Sequence, residues 1–278
     1  MTDPTTGRLR VNGASLHYEV RGEGPLLLLI AGGSGGAASF DGVAGDLAAH
    51  HTVATYDPRG MSRSTLDDPG AEQRVAEHAD DALRMLDLLS PGEPARVFGA
   101  SSGAIVSLHL LTTHPERVGR VVAHEPPVVE VLPDAADHRA LIARVRETFK
   151  TEGPMRAVAV FAAGLKKDGA AIEPPAEIEL PPQAAARAEQ TMAGLPYFIG
   201  RIVPGFMSYA PDVDRLAALS DRLVLACGHD SRGELPYRPA AFLAERLGIE
   251  LVHFPGGHTG LTTHPAEFCE LLLKTLRA

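Results

Sequence analysis

The chain has 278 residues, 45% hydrophobic and 22% charged, which excludes wholesale disorder and supplies enough material for one core with room for an inserted subdomain. Thirty-five acidic against 26 basic residues leave a formal charge of −9, opposing the phosphate neutralisation that non-specific nucleic-acid binding depends on, so no nucleic-acid partner is expected. Cys227 and Cys269 stand in apolar stretches without a C-x-x-C partner and read as core thiols, and the first apolar run, Leu26–Ile30, is too short for a membrane span and too far along for a signal peptide; a cytoplasmic chain with no membrane partner is expected.

Taken in chain order, residues 15–20 alternate polar and apolar side chains like a half-exposed strand, and the turn-forming Arg21-Gly22-Glu23-Gly24-Pro25 follows, which predicts a hairpin-like start. Leu26–Ile30 is apolar at every position, as a central parallel strand covered on both faces must be. Short apolar runs at 52–56, 96–98 and 118–123 come next, separated by amphipathic stretches. In the stretch 72–89, Val75, Ala79, Ala82, Leu83, Leu86 and Leu89 share one helical face. Strand and helix in alternation predict a doubly wound, mostly parallel sheet with helices on both faces.

From 128 to 210 the pattern changes. Prolines cluster at Pro174-Pro175 and Pro181-Pro182, no sheet strand stands out, and 140–149 and 184–193 have helical periodicity. The segment 128–210 reads as a helical cap inserted into an α/β core made of 1–127 and 211–278. Strands resume at 222–226 and 249–254, with helices expected at 238–247 and 265–276.

After the strand 96–98 the chain reads Gly99-Ala100-Ser101-Ser102-Gly103 and then an apolar helical run, which is G-x-S-x-G in a strand-turn-helix setting. A turn tight enough to lift Ser101 above the sheet brings backbone close two residues away on each side, where a Cβ would clash. The helix that starts at Ser102 presents a free N–H and a favourable dipole to developing negative charge. Ser101 is therefore the candidate nucleophile, with Ser102 supplying a backbone donor and Ser107 structural.

A serine needs a base. Of twelve histidines, His258 alone falls in a glycine-rich loop, Pro255-Gly256-Gly257-His258-Thr259-Gly260, between the last strand and the last helix, at the sheet end that also carries Ser101. The acid that orients it is expected at Asp230, just past the strand 222–226, which completes the order Ser, Asp, His; Glu125, ending the strand 118–123, is the competing carboxylate. Asp57 is expected to order its own loop with Arg59. The second oxyanion donor is expected from Ala31-Gly32-Gly33-Ser34-Gly35-Gly36, at Gly33 or else Ser34; the absence of G-K-[ST] argues against a nucleotide loop. His124 and His229 end strands and are candidate pocket residues together with Ser34, Glu125, Tyr197 and Phe206.

With Ala31-Gly32-Gly33, Tyr56-Asp57-Pro58-Arg59-Gly60-Met61-Ser62-Arg63-Ser64, Gly99-Ala100-Ser101-Ser102-Gly103, Gly228-His229-Asp230 and Gly257-His258 in that order, the chain resembles the α/β-hydrolase superfamily over nearly its whole length. The resemblance implies an eight-stranded sheet, a cap after the sixth strand, a small-molecule substrate, and neither cofactor nor metal. Ala31 stands where many relatives carry histidine. Serine at 101 excludes the aspartate-nucleophile branches. The expected activity is hydrolysis of a carboxylic ester or lactone through an acyl-enzyme, the substrate being apolar if residues such as Met192, Leu195, Phe198, Ile199, Met207 and Tyr209 line the pocket. Acyl transfer, cofactor-free peroxidase or C–C hydrolase chemistry on the same triad stays open, as does a non-catalytic ligand-binding protein of the same fold.

Overall fold

A computed structural model describes residues 3–166 and 182–277. The chain opens with β1 (Thr5–Val11) and β2 (Ala14–Arg21), joined through Asn12-Gly13 into an antiparallel hairpin. Asn-Gly between alternating strands is the strongest short hairpin signal. The hairpin expected around residues 21–25 does not form, because β3 (Leu26–Ile30) pairs with β4 (Thr52–Tyr56) and β6 (Ala95–Ala100) instead of with β2. The four residues between β2 and β3 carry the chain past β4, which sits between them.

The remaining strands are β5 (Thr65–Leu66), β7 (Val118–His124), β8 (Leu223–Gly228) and β9 (Leu251–Phe254). Their order is β1-β2-β4-β3-β6-β7-β8-β9, eight strands as expected, and the two-residue β5 added against β2 brings the sheet to nine. Every pairing from β4 to β9 is parallel. The central strand β3 is buried at all five positions, as its unbroken apolar run requires.

Two hydrophobic clusters cover the faces. One packs α2 (Val75–Leu89) and α3 (Ser102–Thr113) through Val75, Ala79, Ala82, Met85, Leu86, Ile105 and Leu108; the other packs α1 (Asp41–Leu47) through Val43 and Leu47 and the C-terminal helix through Phe268, Leu272 and Leu276. Between β7 and β8 run α4 (Ala135–Thr151), α5 (Pro154–Leu165), α6 (Pro182–Tyr197), a π-turn at Phe198–Ile202, α7 (Val203–Phe206) and α8 (Val213–Ala218). A third cluster, with Leu141, Val145, Ala157, Ile199 and Met207, holds much of that segment together. Pro174, Pro175 and Pro181 lie outside the described residues. The chain ends with α9 (Tyr237–Leu247), α10 (Gly260–Thr263) and α11 (Pro265–Arg277).

Among the described residues, the two free sheet edges are β1 and β9. The first carries exposed Thr5, Thr6, Arg8 and Arg10, and the second is four residues long.

Candidate active site

The site starts at the turn from β6 into α3. Ser101 has φ 52° and ψ −118°, a backbone conformation that costs a non-glycine residue on the order of 1–3 kcal/mol. Neighbours enforce it. A Cβ on Gly99 would lie 2.4 Å from the Gly103 carbonyl oxygen, and one on Gly103 would lie 2.2 Å from that of Ile30, so glycine alone fits on either side of the turn. The Ser101 N–H donates to the His124 carbonyl at 2.9 Å, which continues the β6–β7 ladder to the tip of the turn.

His258 follows β9 in the loop before α10 and keeps its side chain about one-third exposed. Its Nδ1 is 2.5 Å from Oε2 of Glu125, not from Asp230. Glu125 is fully buried, and its Oε1 accepts the N–H of Gly228 at 2.8 Å. Burial pushes the Glu125 carboxyl up, but the hydrogen bond to His258, the His124 and His258 imidazoles and the Gly228 N–H together outweigh it and hold the group below the usual carboxylate range.

Asp230, expected to orient His258, is exposed and touches the His258 loop through its backbone, the Asp230 N–H donating to the Gly256 carbonyl at 2.9 Å. The placement follows from the strand order. Strand β7 runs between β6 and β8, so its last residues come out beside the Ser101 turn, and the positive φ of Glu125, 48°, marks a sharp change of direction at the strand end. The sequence signal was a carboxylate placed directly after an apolar strand and before Pro126-Pro127; the order Ser, acid, His holds with either residue.

The loop after β3 crosses the nucleophile turn closely. A Cβ on Gly32 would lie 2.7 Å from Ser101 Cβ. Gly33 is at φ 61°, and its N–H donates to the hydroxyl of Ser102 at 3.1 Å. Ser34 is buried and donates its hydroxyl to the Thr191 carbonyl at 2.9 Å, joining this loop to α6. Asp57 braces the same loop by accepting the Ala37 N–H at 2.8 Å, and its ion pair is with Arg63 at 2.7 Å rather than with Arg59. Arg59 turns instead to Asp81 on α2, in a two-pronged buried pair at 2.7 and 2.6 Å. The partners of Asp57 and Arg59 could not be told from spacing, since both arginines lie in one short loop.

Ser101, Ser102, Gly33 and His258 all line one cavity of about 410 Å³. Phe161, Leu165, Phe198, Phe206 and Met207 bound it on the helical side, and Phe40, Phe98, His124, Phe268 and Leu261 on the sheet side. No Asp, Glu, Lys or Arg lines it among the described residues. Of the candidate pocket residues, His124 and Phe206 do line it. Tyr197 instead donates to the Arg59 carbonyl at 3.2 Å, Tyr209 meets His109 Nδ1 at 2.9 Å, and Met192 is exposed. His229 is exposed beside the His253 ring, away from the cavity wall. Among the described residues, no three His, Cys, Asp or Glu side chains are placed to hold a metal ion, and no helix is long and apolar enough to cross a membrane.

This strand order, with a serine at a strained strand-to-helix turn and a carboxylate-bound histidine in the same cavity, defines an α/β-hydrolase. A family model described as alpha/beta hydrolase fold matches residues 25–152. The chain is 38% identical over 273 residues to the uncharacterized hydrolase YraK of Bacillus subtilis (strain 168), covering 96% of this chain and 94% of that one. A shorter likeness, 34% over 122 residues, covers 42% of this chain and 45% of the zearalenone hydrolase of Bionectria ochroleuca.

Solved structures of the same fold include a hydrolase from Pseudomonas aeruginosa PA01, with TM-score 0.72, 24% identity and 98% of each chain covered. A thermophilic esterase from Thermogutta terrifontis aligns with TM-score 0.74 and 18% identity over 99% of this chain and 98% of the other. The enol-lactonase from Burkholderia xenovorans LB400 aligns with TM-score 0.70 and 17% identity over 98% and 100%. The chain belongs to the α/β-hydrolase family and is a hydrolase.

Proposed function

We propose that the chain is a serine hydrolase acting on a carboxylic ester or lactone of a small, largely apolar substrate. The observation that carries this reading is the 2.5 Å bond from Glu125 to His258 Nδ1, made beneath a cavity whose wall includes both His258 and Ser101. A buried carboxylate on Nδ1 fixes the tautomer that leaves Nε2 free as a base and stabilises the imidazolium that forms when the base takes a proton.

In this scheme His258 Nε2 removes the Ser101 hydroxyl proton as Oγ attacks the substrate carbonyl carbon. The carbonyl oxygen takes the negative charge and is met by the N–H groups of Ser102 and Gly33, the latter turning from the Ser102 hydroxyl to the oxyanion. The imidazolium then protonates the leaving alcohol as its C–O bond breaks, which leaves an acyl-Ser101. Water, deprotonated by the same nitrogen, releases the acid and restores the serine. The uncharged lining favours neutral substrates, because a charged group would lose its hydration there without a partner. The segment 128–210 acts as a cap, supplying Phe161, Leu165, Phe198, Phe206 and Met207 to the substrate. The esterase and lactonase among the structural relatives favour acyl chemistry over C–C cleavage or peroxidation.

A fluorophosphonate probe tests the reading. Wild type is expected to carry one adduct, located on Ser101 by peptide mass spectrometry, and Ser101→Ala and His258→Ala are expected to remain unlabelled. A folded wild-type protein that takes no label would overturn the scheme in favour of a binding role.

A further inference from the structure

Ser34 follows the oxyanion donor Gly33, and its side chain takes no part in the scheme above. Gly33 and Ser34 are the central residues of a tight turn, closed by the Gly35 N–H donating to the Gly32 carbonyl at 3.0 Å. Two residues held in one such turn move together, so a displacement of Ser34 re-aims the peptide planes on either side of Gly33. Within 32–36 every other residue is glycine, with no side chain to anchor it and wide backbone freedom. Ser34 is thus the one side-chain tether of this stretch: it is buried, and its hydroxyl donates to the Thr191 carbonyl on α6 at 2.9 Å.

Helix α6 meets the core along one face. Thr191, Gly194 and Tyr197 recur at every third residue and so lie in a row. Thr191 accepts the Ser34 hydroxyl, a Cβ on Gly194 would lie 3.0 Å from Ser34 Cβ, and Tyr197 donates to the Arg59 carbonyl at 3.2 Å. Glycine at 194 lets the helix rest directly on Ser34. Thr191 also lines the cavity, as does Phe198 just past the helix, so a substrate group in the cavity touches the same segment that holds the oxyanion turn.

The Gly33 N–H rests on the Ser102 hydroxyl at 3.1 Å and has to exchange it for the oxyanion. A donor that exchanges partners needs its peptide plane held closely, because a misplacement of about 1 Å can cost about 10²-fold in rate. The geometry points to Ser34 as a positioning residue: through its bond to Thr191, helix α6 sets the direction of the Gly33 N–H. This role rests on the serine-hydrolase reading.

The test is Ser34→Ala, measured with an alkyl trifluoromethyl ketone and the matching methyl ketone. Both ketones fill the cavity. The fluorinated one also takes Ser101 Oγ onto its carbonyl carbon, the serine proton passing to His258 Nε2 and the carbonyl oxygen becoming an oxyanion. Ser34→Ala is expected to lower kcat on a p-nitrophenyl ester about tenfold with KM within about twofold. It is expected to weaken the trifluoromethyl ketone about tenfold and the methyl ketone by less than about twofold.

Equal weakening of both ketones, a raised KM at wild-type kcat, or no change at all would overturn the role. Gly194→Ala keeps the hydroxyl but sets a methyl group against Ser34, and the same split is expected. Should Ser34→Ala fail to fold, a wild-type ketone preference in Gly194→Ala would overturn the role alone. Fluorophosphonate labelling separates the two readings. Wild type that neither takes the label nor prefers the trifluoromethyl ketone defeats the serine chemistry. Labelled wild type whose Ser34→Ala counterpart keeps the full preference defeats the positioning role only.

Discussion

The N–H of Gly33 donates to the hydroxyl of Ser102 at 3.1 Å, so one of the two donors assigned to the oxyanion is occupied before substrate arrives. The Ser102 hydroxyl then competes with the reaction, whereas the Ser102 N–H serves it. Ser102→Ala removes the competitor and is expected to hold kcat or raise it by up to about threefold. Ser102→Pro removes the N–H at the first position of α3, where proline suits a helix, and is expected to lower kcat about 10²–10³-fold. Steady-state kinetics on p-nitrophenyl esters, with circular dichroism to confirm folding, read both variants.

Glu125 and Asp230 make opposite predictions for the acid. Glu125→Gln keeps the shape but can present the wrong group to His258 Nδ1, and a loss of about 10³–10⁴ in kcat is expected. Asp230→Asn, at an exposed position, is expected to stay within about threefold of wild type. The reverse ranking would return the role to Asp230.

Ser101 carries strain that glycine would not. Ser101→Gly is expected to abolish fluorophosphonate labelling and to stabilise the fold by about 1 kcal/mol, seen as a higher urea midpoint at unchanged slope. A midpoint that drops would mean that the serine side chain contributes more to packing than its backbone costs.

Two buried histidines lower stability in acid. Burial holds His124 at about 4 and His78 at about 3, against 6.5 for an ordinary imidazole. Between those values the unfolded chain binds protons that the folded chain refuses. Stability is therefore complete above about pH 6.5 and falls as the pH drops toward the folded values, each group contributing up to about 1.4 kcal/mol per pH unit. The Glu125 carboxyl, held low, adds a further loss only at more acid pH. Urea unfolding at pH 7, 6 and 5 should show a pH dependence of stability that is shallower in His124→Phe, by about 0.7 kcal/mol from pH 7 to 6 and about 1.2 kcal/mol from pH 6 to 5. Equal slopes would show that His124 is protonated within the fold.

Much of this was legible in the sequence, and the misses share a cause. Short, mostly apolar runs placed β3, β4, β7 and β8 to within a residue or two, because a strand buried on both faces carries few polar side chains. The Ser101 turn and the His258 loop were readable because glycine is required where backbones touch. Asp230, Asp57 and Tyr197 were misjudged because each question concerned which of two nearby groups a side chain meets. That answer depends on strand register and on a loop's direction of turn, and neither is written in residue types. The β1–β2 hairpin was missed although Asn12-Gly13 announced it, since β1 presents only Leu9 and Val11 to the interior.

The arginine-bearing edge strand β1 has a consequence for how molecules of this protein meet one another. An open strand offers its unpaired amides and carbonyls to any other extended chain, and flat apolar edges are where sheets add on to sheets. Here a newcomer would have to bring its backbone alongside Arg8 and Arg10, of which Arg8 is bonded to the Arg63 carbonyl and Arg10 to the Asp67 carboxylate, while at the far side β9 gives only four residues of purchase. The sheet ends as it begins, with no invitation to polymerise, and replacing both arginines with valine would remove that barrier at one edge.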